Sequence, residues 1–169
     1  THRNGMSQWG AKARDDDGQT YKEILEAYYP EKIISTGTLK TSSYGREAIS
    51  ETIIVDGKTI SLEDKYLLGI REIDGSWNTM SDINVLKAQV IAARTYALNY
   101  TKNGRTSICS TTSCQVYSST NPYSTSSAWA QAVRETKGMV LTDTSGYIFS
   151  SQFSAVSGGW INGVGYDVK

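Results

Sequence analysis

The chain has 169 residues, of which 38% are hydrophobic and 20% charged, and its 17 basic and 17 acidic side chains give a formal net charge of zero. It carries no long basic run and no aromatic stripe interleaved with Arg and Lys, which argues against nucleic acids and strongly anionic surfaces as partners. No apolar run approaches the roughly 18 residues of a membrane span, and a single domain of this length can bury roughly two-thirds of its unfolded surface.

The ends of the chain and its polar surface bear on where the protein works. No signal peptide opens the sequence, and because it begins with Thr1 rather than Met we expect one domain over residues 1–169, truncated at one or both ends. Ser, Thr, Gly and Tyr are abundant and Lys is scarce, a composition common in exported proteins and carbohydrate binders. This composition is compatible with an extracytoplasmic location.

The N-terminal part of the chain predicts two helices and then a strand. Met6 to Ala13 form a short helix that the sequence DDDG ends, and residues 21–30, YKEILEAYYP, have apolar side chains at helical spacing with Pro30 as the stop. A strand follows from Lys32 to Ser35. The Ser- and Gly-rich residues up to 50 are predicted to form a loop.

A β-hairpin and a short helix come next. Two β-branched runs in SETIIVDGKTISL flank Asp56 and Gly57, a pair that favours a type I′ turn. Ser61 followed by Asp64 resembles a capping box, which predicts a short helix from Leu62 to Gly69.

The long helix from Ser81 to Gly104 is the element around which the others should pack. Apolar side chains recur at three- and four-residue steps, at Ile83, Leu86, Val90, Ala93, Ala97 and Tyr100. Ser81 is the predicted N-cap, and Gly104 the left-handed residue after the C-terminus. A second apolar face, with Val85, Ala88, Ile91, Ala92 and Tyr96, predicts that the helix is buried in the centre of the domain.

Two cysteines, Cys109 and Cys114, lie five residues apart in a Ser- and Thr-rich loop after the long helix. Three interpretations are open: a small disulfide, half of a metal site, or a catalytic thiol. The use of cysteine in secreted domains favours the disulfide. A structural zinc needs four ligands, and His2 is the single histidine in the sequence.

The C-terminal part predicts a surface loop, a helix and a second hairpin. The loop covers residues 117–127, the helix runs from Ala128 to Thr136 and ends at Gly138, and the strands MVLT and YIFSSQF flank the turn DTSG. Hairpins and short helices around one long helix indicate an α+β fold rather than a parallel doubly wound sheet.

Several blocks of the sequence resemble the SpoIID/LytB family (stage II sporulation protein D). Residues 66–98, YLLGIREIDGSWNTMSDINVLKAQVIAARTYAL, are similar to its central signature, and CQVYSS and SAVSGG to two shorter motifs. HRNGMSQWGAKA and YKEILEAYYP resemble its remaining motifs, so that the resemblance covers most of the chain.

The resemblance implies a lytic transglycosylase that acts on peptidoglycan glycan strands, with Glu72 aligned to the catalytic glutamate. In N-acetylmuramic acid the C6 hydroxyl of the sugar can be the nucleophile, so that one carboxyl suffices as acid and then base, and the product is a 1,6-anhydro sugar. Such a carboxyl needs an apolar wall to remain partly protonated, and Trp77 or Ile73 could provide it.

The same chemistry leaves alternatives. Asp74 could be a second carboxylate, which would make the domain a hydrolase, or it could cap the next turn. A non-catalytic cell-wall binding module, or an enhancer of a partner amidase, is the alternative from another class. A cysteine protease is disfavoured because His2 lies at the edge of the chain.

The candidate substrate-binding residues lie within the motifs, and all but the turn glycine carry polar or aromatic side chains: His2, Ser7, Gln8, Trp77, Gln89, Gln115, Tyr117, Ser157 and Gly158. Ser7 and Gln8 could equally cap a helix, and on the long helix we expect Gln89 to line the cleft and Arg94 to be structural. Trp9, Trp129 and Trp160 could stack on sugar rings, but each could also be a core residue.

This chain departs from the family pattern at several positions. Two residues are missing between Gly69 and Glu72, Asp74 stands where the family has Pro, and Arg3 replaces a Gly of the opening motif. The GMSQWGA block precedes the glutamate, as in one branch of the family. Ser113 stands where some members have a zinc-binding His, which argues against zinc at Cys109 and Cys114, and we expect no cofactor.

Overall fold

The computed structural model describes residues 5–73 and 75–154, together with the backbone of two short strands, Trp160–Ile161 and Gly165–Tyr166. The α-helices are α1 (Gln8–Asp16), α2 (Tyr21–Tyr28), α3 (Ile83–Tyr100) and α4 (Ala128–Glu135). The strands, in chain order from β1 to β11, are Met6–Ser7, Ile33–Thr36, Thr38–Thr41, Gly45–Ala48, Thr52–Val55, Lys58–Ser61, Ser107–Ile108, Met139–Thr142, Phe153–Ser154, Trp160–Ile161 and Gly165–Tyr166. The predicted α+β class is confirmed.

Helix α3 lies between two hydrophobic cores because it has two apolar faces. Leu86, Val90 and Ala97 face a core built with α4 and strands β3, β5 and β8. On the other face, Val85 and Ile91 pack against a core that contains residues of α1, α2 and β8. The predicted burial of this helix is confirmed.

The ends of α3 differ from the prediction. The helix begins at Ile83 after a 3₁₀ turn, and its N-cap residue is Asp82, whose side chain makes no capping hydrogen bond, so the prediction of Ser81 was wrong. A carboxylate oxygen of Asp15, from α1, accepts the backbone N–H of Val85 at 2.9 Å instead. The helix ends at Tyr100, four residues before Gly104. The φ angle of Gly104 is 85°, which is positive as predicted.

The first helix also begins later than predicted, at Gln8. Met6 and Ser7 form a strand that pairs in parallel with Phe153 and Ser154, and the Ser7 hydroxyl caps α1 by accepting the N–H of Gly10 at 3.0 Å. Gly5 has a φ of 105°, and a Cβ at this position would lie 1.7 Å from the backbone oxygen of Gln152. This close approach of two chain segments requires a glycine.

The sheets are small and antiparallel for the most part. The predicted hairpin at Asp56 and Gly57 is confirmed, with φ angles of 49° and 83°. A second hairpin, β3–β4, occupies residues that we had predicted to be a loop. The predicted hairpin around DTSG is present only as one antiparallel bridge, Thr142 with Ile148, because β8 pairs along its length with β2 and Tyr147 bridges Lys40.

The short helix predicted from Leu62 to Gly69 is one π-helical turn, Leu62–Tyr66, followed by one 3₁₀ turn, Leu67–Gly69. The Ser61 hydroxyl caps it by accepting the N–H of Asp64 at 3.1 Å. Two further 3₁₀ turns, Gly75–Trp77 and Met80–Asp82, lead into α3. None of the helices within the described residues is long and apolar enough to cross a membrane.

Candidate active site

Glu72 lies on an extended segment that runs antiparallel to residues 115–117. Ile70 pairs with Tyr117, and the N–H of Arg71 donates to the carbonyl oxygen of Val116 at 2.9 Å. The approach is close at Gly69, where a Cβ would lie 2.4 Å from Cε1 of Tyr117. The two family motifs that contain Glu72 and Gln115–Tyr117 therefore meet in space.

The carboxyl group of Glu72 is half-buried and held in place by the backbone. Its Oε2 atom accepts a hydrogen bond of 2.6 Å from the N–H of Val116. Burial raises the pKa of Glu72 above its ordinary value of 4.5, and the hydrogen bond from Val116 opposes the shift. Among the described residues no neighbouring charge contributes to it. The protonated form is therefore favoured by desolvation, as a general acid requires.

Two tyrosines lie near this carboxyl group. Burial raises the pKa of Tyr66 and of Tyr96, and the negative charge of Glu72 raises both further. The Tyr66 hydroxyl donates a hydrogen bond of 2.6 Å to Oε1 of Gln115, and its ring stacks on that of Tyr117 with the centroids 5.2 Å apart. These contacts support the strand segment that positions Glu72.

Gln115 itself is fully buried. Its side-chain oxygen accepts from Tyr66, and its Nε2 donates to the carbonyl oxygen of Ala93 on α3 at 3.3 Å. Tyr117 is half-buried between Tyr66 and Gly69. Both predicted binding residues thus lie on the segment that pairs with the Glu72 segment. The contacts of Gln115 are those of a positioning residue.

Gln8 and Gln89 form a buried amide pair behind the Glu72 backbone. The Nε2 atom of Gln8 donates to the carbonyl oxygen of Glu72 at 2.8 Å and to Oε1 of Gln89 at 3.0 Å. Gln89 is 1% exposed, and its own Nε2 has no partner among the described residues. Ser7 is fully buried and serves as the cap of α1.

The tryptophans separate into core and surface residues. Trp129 is fully buried, and its Nε1 donates to the carbonyl oxygen of Leu67 at 2.8 Å. Trp77 is 4% exposed and packs edge-to-face against Trp9, with a centroid distance of 4.7 Å. Trp9 is 39% exposed. Of the two residues predicted to form an apolar wall at Glu72, Trp77 has its described ring contact with Trp9 on α1. Ile73 packs against the core that α3 forms with α4, β3, β5 and β8.

Arg94 is structural, as expected. Its buried guanidinium group forms hydrogen bonds of 2.8 and 2.7 Å to the two carboxylate oxygens of Glu63 and a further one to the carbonyl oxygen of Met139. These bonds join α3 to the turn after β6 and to β8.

Cys109 and Cys114 are joined by a disulfide bond, with their Cα atoms 5.5 Å apart. The bridge closes the loop directly before Gln115 and Val116. In a disulfide neither sulfur is the thiolate that binds zinc or attacks a substrate. Across the residues that the structure describes, no group of three or more His, Cys, Asp or Glu side chains is arranged to hold a metal ion.

Some predicted residues lie outside the described part of the chain: His2, Asp74, Ser157 and Gly158. Of Trp160 the structure describes the backbone alone. Conversely, the positions of Tyr66, Tyr96 and the Val116 N–H beside Glu72 were not predicted. Tyr66 and Val116 fall inside the family blocks YLLG and CQVYSS, which was the available signal.

The fold and the site define an α+β domain in which the half-buried carboxyl group of Glu72 is the candidate acid–base group. The family model of the SpoIID stage II sporulation protein matches residues 50–142, which is more than half of the chain. The chain therefore belongs to the SpoIID family.

One relative is the protein named amidase enhancer from Bacillus subtilis (strain 168), which is 39% identical over 89 residues. The match covers 53% of this chain and 11% of that protein, so the chain corresponds to a small part of its relative. No solved structure matches the chain.

Proposed function

We propose that this domain is a peptidoglycan lytic transglycosylase. It cleaves the glycan strand after N-acetylmuramic acid, with Glu72 acting first as the general acid and then as the base, and leaves a 1,6-anhydro product. The SpoIID family and the relative named amidase enhancer support the broader role at the cell wall. The disulfide is consistent with an extracytoplasmic protein, since such bonds persist in oxidising compartments.

The observation that carries the proposal is the environment of the Glu72 carboxyl group. Burial raises its pKa, and a backbone N–H fixes one of its oxygens. A carboxyl group whose protonated form is favoured by burial, and whose orientation a hydrogen bond restricts, is suited to deliver a proton to a substrate oxygen. Since Val116 occupies Oε2, we assign the transferred proton to Oε1, to which no described residue donates a hydrogen bond.

The reaction balances with this one group. Glu72 gives its proton to the glycosidic oxygen as the bond from C1 of N-acetylmuramic acid to that oxygen breaks. The C6 hydroxyl of the same sugar then attacks C1, and its proton passes to the Glu72 carboxylate, which restores the acid. No water is consumed. A two-carboxylate glycosidase would need a second acidic group on the other face of the sugar, and the sequence candidate for that group, Asp74, lies outside the described residues.

The test is digestion of purified, peptide-free glycan strands, with mass spectrometry of the ends. The wild-type domain should produce 1,6-anhydro ends, and Glu72→Gln should reduce the rate by at least about a hundredfold, the range for loss of a general acid. Gln keeps the shape of the side chain and can still accept from Val116. The matched control is Glu26→Gln, an exposed carboxylate on α2, which should cleave at the wild-type rate.

Two other results would contradict the proposal. Reducing ends instead of anhydro ends would indicate a hydrolase, and cleavage by Glu72→Gln at the wild-type rate would remove Glu72 from the mechanism.

A second candidate function follows from the name of the relative, amidase enhancer. In that case the domain would bind glycan strands or a cell-wall amidase without cleaving a bond. It would then raise the rate at which a purified amidase releases stem peptides from cell walls, and Glu72→Gln would do so as well as the wild type. Absence of anhydro ends together with this stimulation would favour the second function.

A further inference from the structure

A groove of about 700 Å³ lies between α1 and the two 3₁₀ turns that precede α3. Its lining includes Trp9, Lys12, Asp16, Trp77, Thr79 and Asp82. We infer that this groove is a subsite for one neutral N-acetylhexosamine unit of a glycan strand, with Trp9 as the stacking surface. The inference rests on the proposed function, since it names an additional place where the same polymer binds.

The aromatic part of the groove is an indole with an open face. Trp9 is 39% exposed although it packs against another large side chain. That neighbour, Trp77, meets it edge-to-face, at 4.7 Å between centroids and 89° between ring planes. The buried Trp77 restricts the orientation of Trp9, so that little conformational entropy is lost when a ligand covers the exposed ring. An exposed, preoriented indole is suited to the apolar C–H face of a pyranose ring.

The polar part of the groove offers both donors and acceptors. Lys12 Nζ lies 2.7 Å from a carboxylate oxygen of Asp16 and 3.4 Å from one of Asp82. The Thr79 hydroxyl donates to the second oxygen of Asp82 at 2.7 Å. Carboxylate oxygens can accept from sugar hydroxyls, while the ammonium group can donate to a hydroxyl or an acetamide oxygen.

The balance of charge in the groove favours a neutral sugar. Among the described lining residues, two carboxylates, Asp16 and Asp82, face one ammonium group, Lys12, and these three groups sum to a charge of −1. A like charge would be repelled, and the lactyl group of N-acetylmuramic acid carries a carboxylate. N-acetylglucosamine carries only hydroxyl and acetamide groups. The groove therefore fits the N-acetylglucosamine units of the strand.

The groove is tied to the candidate catalytic residue through the start of α1. Gln8, whose amide donates to the backbone oxygen of Glu72, directly precedes Trp9. The 3₁₀ turn Gly75–Trp77, on the other wall, follows Glu72 closely in the chain. One wall thus follows Glu72 in the chain and the other is hydrogen-bonded to its backbone, so a strand bound at Glu72 could continue into the groove.

The test measures binding without cleavage. N-acetylglucosamine oligomers lack N-acetylmuramic acid, and Glu72→Gln serves as the background, so that binding is measured apart from the reaction. Titration of the trimer should shift the indole N–H signal of Trp9 in two-dimensional NMR spectra, identified by its loss in Trp9→Phe. The buried Trp129 signal is the internal reference, and N-acetylmuramic acid should shift the Trp9 signal less at equal concentration.

Calorimetry of the same variants gives the affinity. Adding Trp9→Ala should weaken trimer binding about tenfold, which corresponds to loss of apolar contact with one sugar ring. Asp16→Ala, at a largely exposed carboxylate, should also weaken it. The control is Tyr44→Ala, which removes another exposed aromatic side chain from the β3–β4 hairpin and should leave binding unchanged.

Unchanged affinity in Trp9→Ala, or no trimer binding by the Glu72→Gln protein, would overturn the subsite. These outcomes are independent of anhydro-product formation by the wild type. If the wild type cleaves glycan but Trp9→Ala binds the trimer with unchanged affinity, the subsite is wrong and the proposed function stands. If the trimer binds at Trp9 but no cleavage occurs, the subsite stands and the transglycosylase activity is wrong.

Discussion

The side-chain amide of Gln8 donates a hydrogen bond of 2.8 Å to the backbone oxygen of Glu72. This bond attaches the N-terminal motif GMSQWGA to the segment that carries the candidate acid. Two motifs that are 64 positions apart in the chain thus form one site. Gln8 acts on the backbone of Glu72 and not on its carboxyl group, which makes Gln8 a positioning residue.

Replacing Gln8 should therefore affect both stability and turnover. Gln8→Ala leaves the carbonyl oxygen of Glu72 and the Oε1 atom of Gln89 without this donor, which should cost about 1–3 kcal/mol in the free energy of unfolding. It should lower kcat more than it changes KM, because the acid is misplaced while the glycan contacts remain.

Denaturant unfolding and cleavage of peptide-free glycan measure the two effects. Gln131→Ala, at a half-buried glutamine on α4 that bonds to the exposed Glu135, is the control and should change stability by no more than about 0.5 kcal/mol. A Gln8→Ala protein with wild-type stability and kcat would contradict the positioning role.

The raised pKa of Glu72 predicts a specific pH dependence. A carboxyl group with a higher pKa in the folded state favours folding at low pH, and this contribution is lost as the pH rises through the folded pKa. Glu72→Gln cannot ionise and should therefore be more stable than the wild type at neutral pH. The difference should shrink below roughly pH 4, where Glu72 is protonated in both states.

Unfolding curves of both proteins across this range provide the measurement. Cleavage by the wild type should in turn decrease as the pH rises through the folded pKa, because the proton donor is lost. A Glu72→Gln protein that is less stable than the wild type at neutral pH would show that the charged form is favoured in the fold.

Removing the disulfide should loosen the site as well as the loop. Replacing Cys109 and Cys114 together by Ala opens a small covalent loop, which should lower the free energy of unfolding by about 2 kcal/mol. Val116, two residues beyond the bridge, should then hold Glu72 less firmly, so that kcat falls. Thermal unfolding with and without a thiol reductant checks the wild type. A variant that gains stability would indicate a strained bridge.

The buried ion pair of Arg94 and Glu63 should be sensitive to removal of one partner. Glu63→Gln leaves the fully buried guanidinium group without a counter-charge, which should cost about 3 kcal/mol or more. The matched control is the surface pair Arg105 and Glu47, with side-chain exposures of 38% and 21%, where Glu47→Gln should cost much less. Equal losses at the two sites in urea unfolding would contradict the importance of burial.

Local sequence patterns predicted those features that depend only on residues close together in the chain. The two apolar faces of α3 predicted a buried central helix, and Asp56 with Gly57 predicted a turn that needs two positive φ angles. Family motifs pointed to Glu72 but not to its environment. The hairpin β3–β4 was missed because Leu39 is its one fully buried apolar side chain, too weak a signal to indicate strands.

Contacts between distant segments were decided only by the tertiary structure. Ser81 looked like the N-cap of α3, but Asp15 from another helix accepts the N–H of Val85 instead. The strand β8 pairs along its whole length with β2, more than a hundred positions away, and makes only one bridge across its own turn. A hydrogen bond between remote residues leaves no periodic trace in sequence, because it depends on how whole elements pack.

The sequence by itself determined the α+β class, the family, the central helix and the identity of the candidate acid. It could not determine that Val116 holds the carboxyl group, that Gln8 holds its backbone, or that Trp9 is open to solvent while Trp129 is buried. Those properties arise when α1, the Glu72 segment and the strand after the disulfide are brought together. The pKa of a carboxyl group depends on how far its neighbours exclude water, and the packing of the whole domain determines which residues those neighbours are.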